Sequence, residues 1–399
     1  MNPDQEPVRS THLLTRREVL RSGGLAGIAA LLVATPVGAR TRSRAALDEF
    51  VLEQMRAGRL PGLSASVIRD GAVVWAGAYG WANIRAERRV RPDTPFMLAS
   101  VSKTVIATAV MQGVEDGILD LHADVNDVLP FRVRLPDHPR RPITTWHLLT
   151  HTSGIRDRWS VWDDLYSEGD STMPLGVFLR RYLEPDGAYY RPDNFFSFAP
   201  GEVYRYSNIG ASLAAYVLEI ASGKPFDEWC EDRIFYPLGM GRTAWHLDDL
   251  PRREVAMPYR WSAARDRYVA YGQYGYPDYP DGQLRASASD VARHVLMFMG
   301  GGTLDGVRVL QPDTVREMRR SQAPEVVDGQ GLIWYRTHHR GRTLIGHNGG
   351  DYGVATVAFY DPDAGTAAVV LGNGNWRQAG GRWPLMLIMN RLFEEAGRL

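Results

Sequence analysis

The chain has 399 residues, 44% hydrophobic and 23% charged, enough to bury a sizeable core in one large or two intimate domains. Its 46 basic residues balance 46 acidic ones and no basic stripe is interleaved with aromatics, so no nucleic-acid partner is expected. A single cysteine, Cys230, excludes an internal disulfide and a thiolate zinc site, and reads as a small buried apolar residue.

The first segment does not read as fold. Arg16 and Arg17 precede an apolar stretch from about Leu25 to Ala34 and a small-residue cleavage pattern, Val37-Gly38-Ala39. That order resembles a twin-arginine signal peptide over residues 1–39. It predicts passage through the twin-arginine export machinery and a mature protein over 40–399, periplasmic or extracellular. The apolar stretch is too short for a permanent span and no later segment reads as a membrane helix, so no stable membrane insertion is expected.

From Arg44 to Gly58, Leu47, Val51 and Met55 stand four apart and a glycine closes the run, which predicts an amphipathic helix. Two β-branched and aromatic runs around Asp70-Gly71 predict a hairpin. The middle of the chain reads as helices, including Val105–Gly113, Ile209–Ala221 and Ala288–Met299, joined by long loops. Strands return late, in "GLIWYRT", "TLIGH", "YGVATVAFY" and "GTAAVVLGN", and "RWPLMLIMNRLFEEAG" reads as a closing helix. The expected fold class is α+β: one antiparallel sheet, from about 40–98 and 325–399, flanked by the N- and C-terminal helices, with a helical lobe inserted at about 99–324.

Lysine is almost absent, with only Lys103 and Lys224 beside 44 arginines. In "LASVSKTV" Lys103 follows Ser100 by three positions, one helical step that puts both side chains on one face. The apolar run after it predicts a buried helix, and burial lowers a lysine pKa. A fall of three units from about 10.4 costs roughly 4 kcal/mol and leaves a neutral fraction near pH 7. Arginine cannot do this. A neutral amine beside a hydroxyl is a general base for a nucleophile. By itself the spacing is equally that of a capping serine followed by a lysine reaching to water.

Two more sites add weight. Tyr206-Ser207-Asn208 stands before an expected helix, where a phenol can pass a proton and an amide can hold a substrate carbonyl; an ordinary N-cap with a packed tyrosine reads the same way. His347-Asn348-Gly349 ends one expected strand and leads through Gly350 into the next, where paired glycines let a substrate backbone approach the strand edge or make a plain turn.

In this order, Ser-x-x-Lys, Tyr-x-Asn and His-x-Gly resemble the serine β-lactamase and penicillin-binding protein superfamily, closest to its class C and D,D-peptidase branch. "HLLTHTSGI", "PLGM" and "GQLRASASDVARH" extend the resemblance over nearly all of the mature chain. It implies a β-lactamase/transpeptidase-like fold and an acyl-enzyme on Ser100, with Lys103 and Tyr206 moving the proton. Asn208, His347, Asn348 and Gly349 would hold the substrate, and the backbone N–H groups of Ser100 and Gly350 would form the oxyanion hole. The implied function is an exported serine hydrolase of a small amide or ester, with an esterase or a penicillin-binding protein without turnover as alternatives. Typical class C β-lactamases carry lysine at the position of His347, and a mostly neutral histidine grips a carboxylate less firmly. No cofactor is implied.

His147 and His151 stand four apart without a third ligand, so they are expected to fix the Thr152–Gly154 turn and to hold no metal. Of two aromatic-rich loops, 182–198 and 259–279, one or both are expected to wall the site and favour an aromatic or apolar acyl group, the alternative being ordinary surface packing.

Overall fold

In the computed structural model, which describes residues 37–375 and 383–399, the first helix is α1, Val37–Ala57. The arginine pair and apolar stretch assigned to a signal peptide lie outside the described residues. Leu47, Val51 and Met55 fall on one stripe of α1 and are almost fully buried. The hairpin follows as β1 (Gly62–Arg69) and β2 (Ala72–Asn83). Asp70 and Gly71 sit at φ 52° and 77°, the left-handed pair that a two-residue hairpin turn requires. A short β3, Arg88–Arg89, completes this edge.

The chain then leaves the sheet. Its main inserted helices are α2 (Lys103–Glu115), α3 (Asn208–Ser222) and α4 (Ala288–Met299). The lobe also carries short two-stranded ribbons, such as Tyr259–Ser262 with Arg267–Ala270. The sheet resumes with β4 (Tyr335–His339), β5 (Arg342–Asp351), β6 (Val354–Asp361) and β7 (Thr366–Gly372), and α5 (Pro384–Glu395) closes the chain.

The strand order is β4-β5-β6-β7-β1-β2-β3, antiparallel throughout, so the last long strand pairs with the first, Leu63 opposite Gly372. The period of two divides the central strands between two cores. Val67, Val357 and Val370 pack with Leu47 and Val51 of α1 and Ile388 and Leu392 of α5. Ala358, Val369 and Leu371 point the other way, into the core shared with Val291, Val295 and Phe298 of α4. β6 and β7 are therefore buried on both faces.

One expected strand is shortened. "GLIWYRT" becomes extended only at Tyr335, because Ile333 turns at φ 65° and Trp334 stacks on Phe298, ring centroids 4.0 Å apart. The pull is tertiary: the indole fills the core beneath α4 instead of continuing the edge strand.

Candidate active site

Ser100 lies in a single 3₁₀ turn, Ala99–Ser102, that runs directly into α2. In a 3₁₀ turn residues i and i+3 eclipse, and Lys103 Nζ stands 3.0 Å from Ser100 Oγ. Ala99, just before the serine, is held at φ 46°, a left-handed conformation costly for a residue with a Cβ. β5 presses on this turn from the other side. A Cβ on Gly349 would stand 2.5 Å from Leu98 O and 2.9 Å from Ser100 N, so glycine is required. The close approach at Gly349, expected of a substrate backbone, is made here by the serine's own loop. Thr356 Oγ1 on β6 ties the loop down by donating to Leu98 O at 2.6 Å.

Tyr206 and Asn208 are delivered by the start of α3. Ser207 is its N-cap and accepts from Gly210 N at 2.9 Å. Asp157, which no local motif singles out, clamps the turn: its carboxylate accepts from Ser207 Oγ at 2.8 Å, Asn208 N at 2.7 Å and Ile209 N at 3.2 Å. A carboxylate at a helix N-terminus also meets the positive end of the macrodipole. The Tyr206 phenol faces both Ser100 and Lys103, its ring centroid 5.2 Å from Nζ.

The three motifs line one cleft of about 520 Å³: Ser100, Tyr206, Asn208, His347, Asn348, Gly349 and Gly350 all border it. Lys103 lies below its floor with no exposed surface. The aromatic walls are Trp159, Tyr204 and Tyr335, while Arg336 and Asp328 stand on the rim. Neither aromatic-rich loop contributes a lining residue, so that expectation is corrected. Tyr182 and Phe195 fill the core of the lobe, and Tyr274 and Tyr276 are buried behind the site. These rings had more apolar surface to bury in the interior than a cleft wall offers.

The two histidines of the "HLLTH" segment separate. His147 Nδ1 accepts from Thr144 N at 3.0 Å and caps the helix Thr145–Leu149. His151 turns into the cleft and lies against Tyr206, ring centroids 4.3 Å apart.

The charge on Lys103 differs from the sequence expectation. Burial pushes the amine down, as expected, but Tyr206, Asp281 and Asp157 around it push up harder and hold it above the ordinary lysine value. Asp281 supplies both its main-chain carbonyl, 2.5 Å from Nζ, and its carboxylate, 3.9 Å away. Burial raises the Tyr206 phenol too, while Lys103 pulls it down. Lys103 and Tyr206 therefore share their protons and titrate as a unit. After losing one proton, either as amine with phenol or as ammonium with phenolate, the pair has a lone pair beside Ser100 Oγ.

The two imidazoles that face the cleft, His347 from β5 and His151 from the lobe, are neutral. Burial and then Lys103 lower His347 to about 3, and the same two causes, with burial first, lower His151 well below its ordinary value. His347 Nδ1 donates to Asn348 O at 2.6 Å, leaving Nε2 as a bare acceptor. Asn348 Oδ1 accepts from Tyr335 Oη at 2.6 Å.

The chain as a whole is similar to known proteins. The β-lactamase family model matches residues 47–388. Esterase EstB of Burkholderia gladioli is 37% identical over 221 residues, so the match spans 54% of this chain and about half (54%) of the esterase. Penicillin-binding protein 4 of Amycolatopsis lactamdurans is 28% identical over 327 residues, 79% of this chain and 81% of that one. The octameric penicillin-binding protein homologue from Pyrococcus abyssi superimposes with a TM-score of 0.68 and 26% identity over 89% of this chain and 77% of its own. With the family model spanning most of its length and a buried lysine against a serine at the floor of its cleft, the chain belongs to the β-lactamase family of serine hydrolases.

Proposed function

We propose that this protein is an exported hydrolase that cleaves a small ester or amide through an acyl-enzyme on Ser100. The observation that carries the reading is the 3.0 Å contact of Lys103 Nζ with Ser100 Oγ beneath an open cleft. Ser100 Oγ attacks the carbonyl carbon as its proton passes to the Lys103–Tyr206 pair. The same proton then goes to the leaving alcohol or amine, and water repeats the sequence to free the acid. Asn208 orients the acyl side, and the N–H groups of Ser100 and Gly350 stabilise the oxyanion, a role whose loss typically costs about 10²–10³-fold in rate.

The esterase form of this reading has its own support. Where a lysine would grip a substrate carboxylate, the cleft presents the neutral His347, and the relatives include a protein named as an esterase. Ionic recognition of a terminal carboxylate is weakened while attack on an uncharged ester is not. The Arg16-Arg17 segment supports export.

The test is a panel of short-chain p-nitrophenyl esters, D-amino-acid amides, D-Ala-D-Ala peptides and nitrocefin, with Ser100→Ala as control. Turnover of esters or amides above that of nitrocefin, abolished in S100A, is expected. Nitrocefin cleared fastest with the rest inert, or turnover that survives S100A, would overturn the reading.

A further inference from the structure

The acids beneath Lys103 neither touch the cleft nor carry the proton in the chemistry described above, yet the fold brings one of them to the amine by a specific route. Phe96 and Met97 pair with Ala286 and Arg285, and Leu98 N donates to Leu284 O at 2.8 Å, which locks the chain after residue 281 to the loop carrying the serine. The single turn Tyr279–Asp281 just before it ends under α2. Gly282 makes the fit possible: a Cβ there would stand 2.4 Å from the Tyr276 hydroxyl and 3.5 Å from Ala99 Cα.

We propose that Asp281 is a positioning residue for Lys103, fastening the amine against Ser100 and setting the pH at which the Lys103–Tyr206 pair releases its proton. The inference rests on the hydrolase reading for its consequence but not for its measurement. Three observations carry it. The main-chain carbonyl and the carboxylate of Asp281 both face Nζ, at 2.5 and 3.9 Å. Lys103 and Asp281 are both buried, so their attraction is screened little by solvent or salt. Asp281 is not among the residues bordering the cleft, so it acts on the amine and not on substrate.

The groups around the pair are few in kind. Asp278, on the same turn, has one oxygen bonded by Trp162 Nε1 at 2.7 Å and the other buried without a hydrogen-bond partner among the described residues, as is Asp281 Oδ1. Asp157 faces from the loop before the short helix Trp159–Trp162, and Asp351 from the end of β5, where Tyr166 donates to it at 2.9 Å. Tyr276 and Tyr166 complete the surroundings of Asp281; His151 and His347, both neutral, face Lys103 from the cleft. Burial raises both Asp278, to about 7, and Asp281. The carboxyls therefore compete with Lys103 for protons, and removing the nearest negative charge must make the amine easier to deprotonate. An opposite charge within 4–6 Å typically shifts a group by about 1–3 units.

Because the chain has only two lysines, the proton can be watched directly. With ¹³C-lysine labelling, the Cε resonances of Lys103 and Lys224 give two titrations, the second an internal reference; the experiment compares wild type, Asp281→Asn and Asp278→Asn, each checked for an unchanged unfolding temperature. In D281N the midpoint of Lys103 is expected to fall by about one unit or more relative to Lys224, and by less in D278N, which retains the nearer carboxylate. For ester hydrolysis the acid limb of kcat/KM should move to lower pH in parallel, with KM unchanged. A folded D281N whose Lys103 titrates as in wild type would overturn the proposal. A shifted Lys103 in a protein that turns over no substrate would leave it standing and overturn the hydrolase reading instead.

Discussion

The two sides of Ser100 are built from opposite electrostatics. On the lobe side, a buried ammonium meets a phenol and a set of buried carboxyls, with Lys103 and Asp281 in direct contact. On the sheet side, β5 offers backbone, an asparagine and a neutral imidazole, and Arg336 borders the cleft from β4. Proton handling needs strongly coupled charges kept from water, whereas the face that meets substrate needs shape and hydrogen bonds. The division says that altering the lobe side should change rate and pH dependence, and altering the sheet side should change which substrate is preferred.

The sharpest way to break the comparison is Lys103→Arg. The guanidinium keeps the charge but cannot give up its proton and is larger than a side chain already without exposed surface. Loss of about 10²–10⁴-fold in kcat/KM is expected, the range of a general-base contribution. Steady-state kinetics at several pH values check it, and near-normal activity would remove the amine from the mechanism. A smaller and different effect is expected of His347→Lys. A cation there supplies a charge-assisted hydrogen bond to a substrate carboxylate. KM for a carboxylate-bearing peptide or the rate of acylation by a penicillin should improve by about tenfold, while kcat for an uncharged ester stays within a few-fold. If instead both substrate classes lose rate equally, the sheet side handles protons after all and the division fails.

Much of this site was legible because its signals are local. Ser100 and Lys103 are one helical step apart, and the apolar run behind them signals the burial that the fold shows. The bounds of α4 are those expected from the sequence, since Ser287 supplies an N-cap and Gly300 a stop. The partners that set the charge were not legible. Asp281 reaches Lys103 across 178 positions and Asp157 reaches Asn208 across 51, and nothing near either aspartate distinguishes it from a solvated one. The aromatic loops misled for a related reason: composition shows that a ring will be buried and does not show whether protein or ligand covers it. The charge on the lysine needed both kinds of information, because burial is written locally and its compensation comes from afar.

The central claim is that Ser100 becomes covalently acylated with the help of the amine beneath it. Intact-protein mass spectrometry after rapid mixing with a fluorescent penicillin, followed by peptide mapping, tests it most directly. One adduct on the peptide containing Ser100 is expected in the wild type, absent in Ser100→Ala and at least about a hundredfold slower to form in Lys103→Ala. An adduct on another residue, or one that forms at the same rate without the lysine, would contradict the account.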